Sequence, residues 1–299
     1  MKEHIIAFLK IAAPLCVALS VFAAGLEISP LRVLGYFKER PGLILRSLFA
    51  VLVLVPAAAL AIILVLQPAV GTGVGLAILV ACPPAPLMFK SAPQKGASQA
   101  LMAFLHLGLA ALSFVTVPAV LYVISRPLGF HADVDLTAMA LILGKTILVP
   151  ISLGLIVHGV NPEFSEKVAP ILAKIGSIGI LIVLLVLLLA LFPQLTKMDP
   201  WSYFVVAVVS ASALAIGHFA GPEDPQEKTA LAVECGVRHP ALALAIGSAN
   251  FRPERALPVL VPCVLTFIVM ASIYLAWRGK SAARGKPGAT PATSAQAGA

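Results

Sequence analysis

Long apolar runs, separated by short polar stretches, make up nearly the whole chain. Several exceed 18 residues, the length at which a continuous apolar segment can cross a bilayer as an α-helix. The runs do not alternate apolar and polar positions as the strands of a membrane barrel do, so helices are the spanning option left. The pattern predicts an all-α, polytopic membrane protein of about nine transmembrane helices. They cover about residues 5–26, 41–66, 73–89, 97–124, 136–160, 171–192, 201–220, 226–250 and 257–277. The transmembrane domain takes in residues 1–278, and the small, polar, basic stretch 279–299 reads as a disordered tail.

Composition agrees with this reading. Only 11% of residues are charged, against about 25% in soluble domains. The net charge of +8 is spread over short loops and the tail rather than along one stripe, which argues against nucleic acid as a partner and for the lipid bilayer. One set of alternate loops and the tail collects Arg32, Lys38, Arg40, Lys90, Lys95, Lys167, Lys174, Lys228, Arg278, Lys280, Arg284 and Lys286. The other collects Lys2, Lys10, Arg126, Lys197, Arg252 and Arg255. The positive-inside rule then places the N-terminus outside and the C-terminus in the cytoplasm of a multi-pass cell-membrane protein. Lys10 interrupts the first apolar run and no clear cleavage site follows, so that run is expected to be a span and not a signal peptide. The four cysteines lie inside apolar runs without CxxC spacing, so neither a disulfide framework nor a structural metal is expected.

Two spans carry chemistry. In the third, Cys82-Pro83-Pro84-Ala85-Pro86 cannot continue an α-helix, because each proline removes a backbone donor and clashes with the preceding turn. In the eighth, Glu234-Cys235-Gly236-Val237-Arg238-His239-Pro240 places charge between apolar flanks. Each ionised side chain at that depth costs roughly 2.5–3.5 kcal/mol on insertion scales, so a functional site is the default reading. Interrupted spans in the two halves of a chain mark the central site of many secondary transporters. The candidate substrate or coupling residues are Glu234, Arg238, His239, Cys235, Cys82, Pro83, Met88 and His106. Glu234 and Arg238 are spaced for an i,i+4 ion pair on a helix. Alternatively, the guanidinium points into a cavity and takes an oxyanion bidentately. His239 is either a proton carrier or a polar contact for carbonyls freed at the break. His106 reads as an interhelical hydrogen-bonding group and Lys145 as a buried structural pairing residue, while Pro56, Pro118 and Pro150 read as simple kinks. Phosphate-loop, HExxH and GxSxG motifs do not occur, and no enzymatic activity and no cofactor are expected.

Over about residues 15–277 the chain resembles the bile acid:sodium symporter family. The likeness rests on Phe22–Pro30, on Leu79-Val80-Ala81-Cys82-Pro83, on Lys145 through Pro150 to Gly154–His158, and on Lys228–Gly236. It implies inverted repeats, a panel domain, and a core domain whose two broken helices, about 73–90 and 226–250, cross near the midplane. It further implies alternating access, with a small organic anion carried between core and panel. Sodium-using members place Ser-Asn where this chain has Leu87-Met88-Phe89. They carry further oxygen ligands at positions matching Val51, Leu101 and Leu105–His106, and a glutamine at the position of Arg238. Of the implied sodium ligands only Glu234 is retained, whereas hard cations need several oxygens. Two other readings of the sequence are a thiol-dependent, arsenite-type metalloid exporter using Cys82 and Cys235, and a non-transporting membrane receptor.

Overall fold

In a computed structural model, residues 2–27, 38–85, 92–129, 143–195, 198–250 and 253–284 are described, with single positions 29, 35, 137 and 141. Among them every regular element is helical. The helices are α1 (Lys2–Glu27), α2 (Pro41–Leu66), α3 (Val70–Ala81), α4 (Gln99–Ser125) and α5 (Gly144–Val160). They continue with α6 (Pro162–Leu195), α7 (Pro200–Ala220), α8 (Pro225–Gly236), α9 (Pro240–Asn250) and α10 (Pro253–Arg284). Five of these, α2, α4, α6, α7 and α10, contain a segment long and apolar enough to cross a membrane.

The second span has the expected limits, and the eighth divides at Val237–His239 as its proline and glycine demand. Two helices overrun their apolar runs. α6 starts at Pro162, where Asn161 Oδ1 accepts the Phe164 amide at 3.0 Å and begins the helix before hydrophobicity rises. α10 continues past Gly279 to Arg284 because Ala, Lys and Arg sustain a helix without an apolar face. Pro56 and Pro150 are more than kinks. Each follows a π-helical turn, at Ala50–Leu54 and Gly144–Leu148, which widens the helix ahead of a residue that lacks an N–H.

Packing sorts the helices into two groups. α1 lies against α5 and α6, while α7 lies against α8, α10 and α2, with α3 and α9 packed on α10. The first group is held by a glycine-to-glycine contact. A Cβ on Gly25 of α1 would stand 2.7 Å from the Ile151 carbonyl oxygen, and one on Gly154 of α5 would stand 2.9 Å from Gly25 Cα. Such small residues let backbones approach where no hydrophobic effect drives helices together. His158 completes the contact through Nδ1, 2.7 Å from the Leu26 carbonyl oxygen. A carbonyl can only accept, so that nitrogen carries the proton.

Candidate functional site

The first interruption begins when α3 ends at Ala81 and Cys82 turns extended (φ −68°, ψ 145°), with Pro83 after it. The second begins when α8 ends at Gly236 and Val237 becomes extended (φ −111°, ψ 123°). The two lie against each other. The His239 amide donates to the Pro83 carbonyl at 2.9 Å, and Arg238 Nη1 donates to the Cys82 carbonyl at 3.2 Å. Backbone groups freed by one break are thus satisfied by the other, as irregular backbone at membrane depth requires.

The site is dry. Cys82, Cys235, Glu234, Arg238, His239 and His106 are all buried, Arg238 to 4% exposure and Glu234 to 2%. Pro83 is buried with them, and Met88 lies outside the described residues. His106, on α4, is close enough to His239 for charges on the two to repel. Both site cysteines are free thiols, each near enough to Arg238 to feel its charge.

Three readings of the sequence change here. Glu234 and Arg238 do not form the i,i+4 ion pair, because the helix stops between them and the extended Val237 turns Arg238 toward the first break. The ion pair found among the described residues joins Arg40 to Glu227 instead. The His239 side chain contacts a freed amide of α9 and not a carbonyl of the break. Its Nδ1 accepts from the Leu242 N–H at 3.3 Å, an N-cap with an imidazole in place of the usual oxygen. Lys145 is exposed and so is not a buried pairing residue.

Glu234 Oε2 and Arg238 Nε and Nη2 are buried without a hydrogen-bond partner. A cavity borders Arg238, lined also by Val51 and Leu52 of the α2 π-turn, Val80 to Pro83, and Leu109, Thr116 and Val120 of α4. The donor set suits a sodium ion poorly. Val51, Leu101 and Leu105 are at most 1% exposed and share one apolar core with Val233, Cys235 and Val237. The carbonyls of Cys82 and Pro83 already accept from Arg238 and His239. Among the described residues Glu234 remains as a single carboxylate, and one carboxylate does not replace the shell of a hard cation.

The far end of α8 is fastened from several elements, and sequence reading did not find this. Asp224 Oδ1 caps the amides of Gln226 and Glu227 at 2.9 and 2.8 Å. The Ser98 amide, at the start of α4, donates to the Gln226 carbonyl at 2.9 Å. From α10, Arg278 donates through Nε to Thr229 Oγ1 at 2.8 Å and through Nη2 to the Pro225 carbonyl at 2.7 Å. Thr229 Oγ1 in turn donates to the same carbonyl at 2.7 Å. The one signal available was the Asp-Pro capping pair, since Arg278 looked like any loop cation.

The model of the sodium bile acid symporter family matches residues 14–197, which includes the first interruption and ends before the second. No curated protein matches the chain. With more than half its length matched and its helices long and apolar, the chain belongs to the sodium bile acid symporter family and is a multi-pass membrane transporter of that family.

Proposed function

We propose that the chain is a secondary transporter that moves a small organic anion by alternating access without sodium coupling. Arg238 supplies a resident positive charge at the contact of the two breaks. The observation that carries this reading is the Arg238 guanidinium, donated to the Cys82 carbonyl and surrounded by apolar core where oxygen ligands would otherwise stand. A fixed guanidinium offsets the negative charge of an incoming anion in the low dielectric of the site, where an unpaired charge is costly.

In this reading nine spans cross the membrane, with α3 and α8–α9 as the broken pair. The group formed by α1, α5 and α6 is the panel, and the remaining helices are the core that moves against it. The surface between the groups supports such movement. Val17 and Val21 of α1 share an apolar core with Leu79 and Val80 of α3 and Leu242 and Ala243 of α9. Apolar contact of this kind has no directional bonds to break as it slides. The N-terminus lies outside and the C-terminus in the cytoplasm.

Uptake into proteoliposomes tests the proposal. Accumulation of an organic anion is expected at equal rates with sodium or choline as the external cation. Uptake that follows an imposed sodium gradient and ignores a pH gradient would refute it.

A further inference from the structure

The end of α7, the start of α8 and the last third of α10 meet at one end of the bundle. His218 of α7 ties two of them together. Its Nδ1 lies 2.9 Å from the Tyr274 hydroxyl of α10, and its ring meets those of Phe219 and Trp277 at 5.4 and 5.8 Å between centres. The two outer rings are open, Phe219 at 84% exposure and Trp277 at 52%. Both stand near the end of an apolar span, Pro200–Ala220 and Val259–Ser281. Aromatic rings at that level sit among lipid headgroups.

Two cations converge on the same rings. Arg278 Cζ lies 5.8 Å from the centre of the Trp277 ring, and the side chain is held there by its bonds to Thr229 and the Pro225 carbonyl. Positions 225, 228 and 229 share one face of α8, so those bonds bring Lys228 beside Arg278. A Cβ on Gly221 would stand 2.8 Å from Lys228 Cα, so this turn is pressed closely on the end of α7. Both cations are near enough to His218 for their charges to act on its ring, and among the described residues no acid does so. Of the acids beside Lys228, Glu227 is paired with Arg40 and Asp224 accepts the amides that open α8.

We infer that this corner is a binding site for an anionic phospholipid. Its phosphate lies between Lys228 and Arg278, and its acyl chains run along Phe219 and Trp277. Each lysine or arginine at the surface of an anionic bilayer contributes about fivefold in affinity. A soluble phosphate ester would meet the cations but leave the exposed rings without a partner. Such a site is independent of the substrate carried. Because Arg278 also fastens the first turn of α8, the bound lipid rests on the mounting of a broken helix.

Quenching of tryptophan fluorescence in vesicles tests the site. The chain has two tryptophans, and Trp201 lies at the opposite end of α7. Brominated phosphatidylglycerol, mixed into phosphatidylcholine, should bind beside the tryptophans of the unmodified full chain at least about fivefold more tightly than brominated phosphatidylcholine. Trp277→Phe, which leaves Trp201 as the reporter, should show no preference. Lys228→Gln should lower the preference about fivefold, and Lys228→Arg should keep it. Should the Lys228 variants fail to fold, salt of about 1 M, which screens charges beyond a few ångströms, should still weaken the preference of the unmodified chain. Equal quenching by the two lipids in the unmodified chain would overturn the inference, as would a preference undiminished by Lys228→Gln, by Trp277→Phe or by molar salt. Loss of the preference on adding millimolar glycerol 3-phosphate would also overturn it, since the corner would then take a soluble phosphate ester and not a lipid.

Discussion

Replacing Gly25 or Gly154 by alanine probes the contact that joins α1 to α5. A Cβ at Gly25 would lie 2.7 Å from the Ile151 carbonyl oxygen, about 0.7 Å inside the 3.4 Å at which ordinary contact begins. At Gly154 it would lie 2.5 Å from the Phe22 carbonyl oxygen, about 0.9 Å too close. Both obstacles are backbone and cannot rotate away, so the helices must separate by most of an ångström. That displacement stretches the 2.7 Å bond from His158 to the Leu26 carbonyl beyond hydrogen-bonding range. Overpacking costs about 1–3 kcal/mol and the lost bond about 1 kcal/mol. Each single variant should therefore lose about 2–4 kcal/mol, and His158→Ala alone about 1 kcal/mol. The double variant should cost much less than the sum of the two singles, because one separation accommodates both methyl groups. Unfolding midpoints of the unmodified chain and the four variants in detergent measure the ranking. Additive single effects, or a Gly154→Ala variant as stable as the unmodified chain, would refute the close approach.

Other expectations follow from individual bonds. His239→Asn preserves a side-chain acceptor at the start of α9 and should retain transport, while His239→Ala should lose about 1 kcal/mol of stability. Loss of transport in the asparagine variant at normal stability would instead favour proton carriage by the imidazole. Arg278→Ala removes both bonds to the first turn of α8 and should cost about 1–3 kcal/mol, read as faster amide exchange at residues 226–229 with α1 unchanged. Unaltered exchange there would show that Arg278 holds nothing in place. Bonds from the side chain and amide of Ser202 hold the Asp199 carboxyl below the usual carboxylate range. Its stabilising effect is full above the unfolded value of about 4 and fades as pH falls through the lower folded value. Asp199→Asn should accordingly flatten the acid limb of the stability curve, and an unchanged limb would contradict the assignment.

Hydrophobic patterning located most of the helices because lipid-facing and buried surfaces are both apolar, so each run is visible without knowledge of its neighbours. The breaks were legible for a local reason too, since the three prolines of Cys82–Pro86, and Gly236 with Pro240, disfavour a helix running through them. What joins them was not legible. Arg238 four residues after Glu234 looked like a helical ion pair, and only the extended Val237 sends the guanidinium to the Cys82 carbonyl, 156 residues away. The glycine contact shows the same limit. Gly25 and Gly154 stand in two of the segments that carry the family resemblance, yet nothing within either segment indicates that they face each other. The fastening of α8 by Arg40, Ser98 and Arg278 depends on distant chain crossings, and loop charges do not encode those. The overruns of α6 and α10 were hidden because polar residues extend a helix as readily as apolar ones.

In the proposed mechanism Arg238, and not sodium, provides the positive charge at the site. The most direct measurement is the melting midpoint of the purified chain in sodium chloride and in choline chloride at equal ionic strength, with Glu234→Gln alongside. The unmodified chain should show one midpoint in both salts. Stabilisation by sodium that saturates and disappears in Glu234→Gln would contradict it.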